Sequence, residues 1–152
     1  MGRMAMSITV LLLTACALPA CASDLDSQSV NQDTIDALQL RISQAEPREQ
    51  CYLYAELVHQ MTEFSVRQYS AGDVDKASAL LHKVQEFARK IHLSVNDGDK
   101  RLKNTEILLR RSAFRLNEML HSSSYEDRPL VAQTLAQVNQ ADSAAMMQVF
   151  RK

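Results

Sequence analysis

The sequence predicts an all-α protein of about five helices, arranged as an antiparallel helical bundle or as stacked helical hairpins. Apolar residues recur at intervals of three and four from residue 30 to residue 150, which is the period of a helix that buries one face. No stretch alternates between apolar and polar residues as a half-buried strand does. Beyond residue 22 the glycines and prolines lie where the apolar period breaks, at Pro47, Gly72, Gly98 and Pro129.

The helix boundaries follow from residues with known preferences at helix ends. Pro47 suits a first helical position, Gly72 can adopt the left-handed conformation that ends a helix, and Asp73 can cap the next helix. Ser123 and Glu126 have the spacing of a capping box before the last helix. We therefore predict helices near residues 30–45, 48–70, 73–94, 99–121 and 127–150.

Residues 1–22 are predicted to be a secretory signal peptide. Arg3 supplies a positive start, residues 5–20 carry no charge, and small residues at 20–22 suit a signal peptidase. The segment is too short, and too interrupted by Pro19, for a comfortable membrane span of about 20 apolar residues. We expect the mature protein to be periplasmic or extracellular.

A second route of processing stays open in the same segment. The residues that precede Cys16 and Cys21 resemble the lipobox of bacterial lipoproteins, in which the cysteine is acylated and becomes the first residue. Lipidation would hold the protein on a membrane, whereas cleavage after Ala22 would release it. Any membrane attachment is expected through such a lipid anchor.

The mature chain of about 130 residues has the size of one domain. Residues 23–29 are read as a polar tail, and residues 30–150 as a single helical domain. After cleavage at Ala22, Cys51 is the remaining cysteine, so no internal disulfide can form. We expect Cys51 to be a small core residue near a helix start.

Two short patterns resemble known helical proteins. Residues 69–77 resemble the inter-helix turn of a tetratricopeptide repeat, but the turn occurs once, and position 106, one period after Gly72, is a glutamate inside a predicted helix. A plain helical hairpin is therefore predicted there. A small tetratricopeptide-like adaptor is kept as an alternative function.

The second pattern is a pair of E-x-x-H motifs, at Glu56 with His59 and at Glu118 with His121. They resemble the ligand motifs of carboxylate-bridged di-iron bundles, whose ligands project inward. Helical phase places all four side chains opposite the apolar stripes of their helices, so we expect them on solvated faces. No cofactor or metal site is predicted, and a di-iron-like bundle is kept as an alternative function.

Charge is unevenly distributed along the mature chain. Residues 23–63 carry a net charge of −6, whereas residues 100–115 carry +5. Either the acidic early helices pair with the basic fourth helix, or the fourth helix presents a basic surface to an acidic protein or an anionic envelope component. Nucleic acid is not an expected partner, because export removes the protein from it and few aromatic residues interleave with these bases.

The fourth helix also carries a second apolar pair, Ile107 and Phe114, on the side opposite its leucine stripe. We expect this helix to be central and to pack on both sides. The alternative is a partner-binding patch. Its candidate residues are Lys103, Ile107, Arg110, Arg111, Phe114 and Arg115.

The function predicted from these patterns is binding rather than catalysis. The sequence contains no glycine-rich phosphate loop, nucleophile-elbow motif or haem-attachment motif. The prediction is thus an exported, non-enzymatic interaction module of the cell envelope. Neither its partner nor its oligomeric state is specified by the sequence.

Overall fold

A computed structural model describes residues 30–151. The predicted signal peptide, the lipidation at Cys16 or Cys21 and the polar tail therefore lie outside the described residues. Within residues 30–151 there are five α-helices and no strand, so the predicted all-α fold is confirmed. The helices are α1 (Gln32–Gln44), α2 (Pro47–Ser70), α3 (Val74–Ser94), α4 (Leu102–Ser122) and α5 (Arg128–Val149).

Most predicted helix ends have the predicted chemistry. Pro47 occupies the first turn of α2, where its missing N–H leaves no hydrogen bond unmade. Gly72 has a φ of +85°, a left-handed conformation that glycine adopts without steric cost. The Asp73 carboxylate accepts a hydrogen bond from the Lys76 N–H at 3.2 Å and so caps α3.

The predicted capping box of Ser123 and Glu126 is wrong. Ser123 is buried, and its hydroxyl donates to the Met119 carbonyl at 2.6 Å, at the end of α4. The turn before α5 is instead closed by its neighbour Ser124, whose hydroxyl donates to Asp127 at 2.7 Å. The pattern was shifted by one residue, because Ser123 serves the preceding helix rather than the following one.

The helices form two antiparallel hairpins, α2–α3 and α4–α5, that lie side by side. Helix α2 contacts α1, α3 and α4, and α5 contacts α3 and α4. Contacts from α2 to α4 join residues 52 or 53 positions apart, as in Glu63 with Arg115 and His59 with Ser112. A constant offset means that α2 and α4 run parallel, so the fold corresponds to stacked hairpins.

The core lies between the two hairpins and continues between α1 and α2. Its largest fully buried side chains include Ile35, Leu57, Met61, Leu81, Ile91, Leu109 and Leu116. Small polar residues are buried among them, and the hydroxyls of Ser112 and Thr134 donate to carbonyls of their own helices at 2.9 and 2.8 Å. Cys51 is buried near the start of α2, as expected. The short side chains of Ser112 and Thr134 thus let the helices approach closely while their hydroxyls stay hydrogen-bonded.

The central helix is α2 and not α4, contrary to the expectation. Among the described elements, α2 has three neighbours, whereas α4 has two, α2 and α5. The side of α4 that carries Ile107 and Phe114 is therefore uncovered. Ile107 is 38% exposed and Phe114 is 62% exposed.

Residues 95–101 join the two hairpins by crossing the start of α2. The Lys100 N–H donates to the Arg48 carbonyl at 2.8 Å, and the Arg48 guanidinium donates to the Gly98 carbonyl at 2.6 Å. Arg101 has a φ of +61°, which delays the start of α4 to Leu102. Its guanidinium stacks on the Tyr52 ring, 3.9 Å from the ring centroid.

Candidate functional site: a cationic groove between α2 and α4

A groove of about 420 Å³ lies between α2 and α4. Because the two helices are parallel neighbours at the surface, each supplies one wall. We call it the cationic groove and define it by its lining residues: His59 and Glu63 from α2, and Ile107, Arg110, Arg111, Phe114 and Arg115 from α4.

The structure brings together five of the six residues predicted as a partner surface. Lys103 is separate, because it lines another hollow with Leu102 and Gln148. The sequence analysis missed His59 and Glu63, which form the opposite wall. To find them, one must know that α2 and α4 pack side by side in parallel. This packing depends on how the two hairpins stack.

The α4 wall presents two exposed apolar side chains, Ile107 and Phe114. Ile107 and Phe114 lie seven residues apart, two turns along the same face, and both are exposed to solvent. An exposed aromatic ring rimmed by charges is typical of a recognition surface. Covering the Phe114 ring would remove apolar surface from water, at about 25 cal/mol per Å².

The three arginines of the groove differ in how they are held. Arg115 donates to Glu63 of α2 at 2.9 Å and to Glu118 of α4 at 2.5 Å. The hydrogen bond to Glu118, with a smaller effect from Glu63, raises the pKa of Arg115. Arg115 is therefore anchored across the seam between the helices.

Arg110 and Arg111 point their charge outward. Arg110 pairs with Glu106 one turn earlier in α4, and its side chain is 65% exposed. Arg111 is exposed and forms no ion pair within residues 30–151. The Arg111 guanidinium is therefore accessible to an anionic group placed in the groove, whereas the guanidinium of Arg110 already has a carboxylate partner.

The predicted pairing between the acidic early helices and the basic segment involves only some of the basic residues. The acidic early helices do pair with the basic segment, because Lys100 lies 3.1 Å from Glu46 and 3.2 Å from Glu49. Arg115 makes the same kind of contact with Glu63. Arg110 and Arg111 take no part in this pairing among the described ion pairs.

His59 does not lie on a solvated face, so that expectation is wrong. It is half-buried against α4, with Nδ1 3.4 Å from the Ser112 hydroxyl oxygen. Burial lowers the pKa of His59, Glu63 opposes this shift, and Arg111 and Arg115 add to it. The helical phase was misleading because α2 is covered on three sides, which leaves few solvated positions.

The Ser112 and His59 pair lacks the geometry of a nucleophile and its base. The Ser112 hydroxyl is fully buried and donates to the Leu108 carbonyl at 2.9 Å. The nearby carboxylate of Glu63, which could orient the imidazole, is held by Arg115. A catalytic serine needs an exposed oxygen and a base oriented by a third group, and this arrangement supplies neither.

The two E-x-x-H motifs do not converge. Glu56 lies 3.9 Å from Arg41 of α1, and Glu118 pairs with Arg115. His121 is exposed, with Nδ1 2.7 Å from the Asn117 carbonyl oxygen of its own helix. Over residues 30–151, no three histidine, cysteine or acidic side chains are grouped so that they could hold a metal ion.

A second hollow of about 430 Å³ lies near the start of α2 and is lined in part by Cys51 and Asp99. Burial, with a smaller effect from Asp99, raises the pKa of the Cys51 thiol to about 12. The thiolate is the reactive form of cysteine. This thiol is therefore inert near neutral pH and serves packing.

The fold and the groove together define an all-α protein of stacked helical hairpins with a cationic, apolar-lined surface groove. No helix in residues 30–151 combines the length and hydropathy needed to span a membrane. No family model, curated protein or solved structure matches the chain significantly.

Proposed function

We propose that this chain is an exported, non-enzymatic binding module of the cell envelope, and that the cationic groove binds an acidic segment of a partner protein. The observation that carries the proposal is the position of Phe114 and Ile107, exposed apolar side chains in the same groove as the outward-facing Arg110 and Arg111. A partner that matches it has an apolar side chain flanked by carboxylates.

Each part of the groove has a separate role in this proposal. Phe114 and Ile107 supply the apolar contact that holds the bound segment. Arg111 attracts a carboxylate at long range and can then bind it in bidentate fashion. Arg110 is already paired with Glu106, and its exposed guanidinium adds a second donor at the rim of the groove. Arg115 is already paired with Glu63 and Glu118, so its role is to fix the distance between the two walls.

The chemistry of the groove supports binding rather than catalysis. Its carboxylate, Glu63, is occupied by Arg115, and its imidazole, His59, faces a buried hydroxyl. Neither group is placed as a general acid or base with access to a ligand. A cationic surface with an aromatic anchor needs no reacting group to bind an acidic segment.

The export part of the proposal depends on residues 1–22. Mass spectrometry of the mature N-terminus tests it directly, since cleavage after Ala22 predicts Ser23 as the first residue. Acylation at Cys16 or Cys21 would identify a lipid-anchored form. Protein from the producing cell that still begins at residue 1 would contradict export.

Capture from envelope extract tests the groove. We expect tagged wild-type chain to capture a partner that the double variant Arg111→Gln/Phe114→Ala loses. The matched control is Arg89→Gln/Leu93→Ala on α3, which removes one exposed base and one exposed apolar side chain away from the groove. Capture should weaken with added salt, because the attraction between exposed charges is screened.

The identity of the partner is tested separately. The captured protein should lose binding when the acidic residues of its contact segment are replaced by their amides. Vesicles of anionic phospholipid are the comparison, with neutral vesicles as their control. If the chain binds anionic vesicles and this binding depends on the same groove residues, the partner is a lipid surface and not a protein. Equal capture by both double variants would contradict the groove as the binding site.

A further inference from the structure

We propose that the acidic partner of the cationic groove is a second copy of this chain, which enters the groove with the outer face of its helix α1. This inference rests on the proposed function, because it names the occupant of the same groove. We define the outer face of α1 by Asp33, Asp36 and Leu40, which are all exposed. The face thus combines one apolar side chain with two carboxylates.

Helix α1 packs on α2 with one face and leaves the other face uncovered. Ile35, Leu38 and Ile42 are buried. At about 100° per residue, Asp33 and Leu40 point away from these three, and Leu40 is 62% exposed. Leu40 is therefore a large apolar side chain that the fold of one copy leaves in water.

The acids of the outer face have no base to neutralise them within residues 30–151. Asp33 forms no ion pair there, and Asp36 accepts a hydrogen bond at 2.8 Å from a neutral amide one turn earlier. Arg41 of α1 is turned towards Glu56 of α2, 3.9 Å away. Arg111 of the groove is the matching case, an exposed base with no carboxylate partner among the described ion pairs. Unpaired charges of opposite sign therefore stand on the two surfaces.

The spacing of charged and apolar groups also matches. Asp36 precedes Leu40 by four residues, about 6 Å along α1. Arg111 lies about 6 Å from Ile107 and about 4.5 Å from Phe114 along α4. When Asp36 of one copy meets Arg111 of the other, Leu40 therefore reaches an apolar side chain of the groove.

The outer face of α1 and the groove lie on the same side of the molecule. Glu56 and Gln60 of α2 line a hollow with α1, whereas His59 and Glu63 line the groove. Residues three and four apart are neighbours on a helix surface, so α1 and the groove occupy adjacent strips of α2. Two copies related by a two-fold axis can thus each place α1 in the other's groove, which closes the assembly at a dimer.

The experiment measures self-association of the purified mature chain by analytical ultracentrifugation, over a range of protein concentrations at low and high salt. Asp36→Lys and Arg111→Glu each place like charges at the proposed contact. The matched control is Asp97→Lys, which reverses an exposed acid in the segment that joins the hairpins. Circular dichroism of every variant verifies that its helices are intact. The two single variants are also mixed in equal amounts.

We expect the wild type and the Asp97→Lys control to dimerise, with an association that weakens as salt rises. Each single variant should dimerise at least about tenfold more weakly, because like charges oppose the contact. The equimolar mixture should dimerise again, since each α1 face then meets a groove of opposite charge. A wild type that stays monomeric up to millimolar concentration would overturn the inference. A mixture that associates no better than its separate components would also overturn it.

Capture from envelope extract separates a failure of this inference from a failure of the proposed function. If the purified chain stays monomeric while its groove captures another protein, the proposed function stands and the second copy is rejected. If the chain stays monomeric and the groove variant captures as much as wild type, both proposals fail.

Discussion

Arg115 is expected to stabilise the fold, whereas its neighbour Arg111 is not. The Arg115 guanidinium bridges α2 and α4 through Glu63, and the two side chains are only 35% and 26% exposed. An inter-helix pair of this kind contributes about 0.5 to 1 kcal/mol. The additional contact with Glu118, three residues further along α4, contributes about 0.3 kcal/mol. Arg115→Gln should therefore lower the free energy of unfolding by about 1 kcal/mol, or Tm by about 4 °C.

The measurement is urea unfolding followed by circular dichroism at two salt concentrations. The screening length falls from about 10 Å at 0.1 M salt to about 3 Å at 1 M. The difference between wild type and Arg115→Gln should therefore shrink in high salt. It should not vanish, because partly buried pairs are screened less than exposed ones.

Arg111→Gln is the matched control, because it removes the same charge from the same groove without removing an ion pair among the described residues. Its stability should stay within about 0.5 kcal/mol of wild type. Equal stability of the two variants, or a loss in Arg115→Gln that salt leaves unchanged, would refute the role assigned to the bridge.

Three further predictions concern single residues. Leu109→Ala, at a fully buried position, should cost about 2 to 5 kcal/mol in urea unfolding, and a loss below 1 kcal/mol would contradict the close packing of the hairpins. Burial lowers the pKa of His59 from 6.5, so its contribution to stability is present above that value and is lost as pH falls through the folded pKa. Between pH 7 and pH 5, His59→Gln should accordingly lose less stability than wild type. Parallel profiles of stability against pH for the two proteins would disprove this. Cys51 should react with a thiol reagent at pH 8 only after unfolding, because its pKa is raised to about 12, and rapid labelling of native protein would show that it is accessible.

Local chemistry made the helix ends predictable from the sequence. The caps at Gly72 and Asp73 depend on a few neighbouring residues, and the structure has both. The apolar pair Ile107 and Phe114 could likewise be assigned to one side of its helix from spacing alone. What lies opposite that side could not be read, because it depends on which helices stack.

The errors have the same physical cause. α4 was expected at the centre because it carries apolar residues on two sides, but the stacking gives α2 three neighbours. His59 was expected in water because helical phase places it opposite the apolar stripe of α2, but that side of α2 faces α4. Ser112 gave no sign that it is buried, since its polar hydroxyl is satisfied by the carbonyl of Leu108 in its own helix. Only the arrangement of the two hairpins decides each of these positions.

The origin of the groove walls has a consequence for the order of folding. One wall belongs to the α2–α3 hairpin and the other to the α4–α5 hairpin, and pairing within a hairpin closes a shorter loop, at a smaller entropy cost, than docking of the two hairpins. The groove exists only once the hairpins have docked. A chain with both hairpins formed but undocked would thus be helical yet lack the groove, so the proposed partner binding would report docking of the hairpins more faithfully than helix content does.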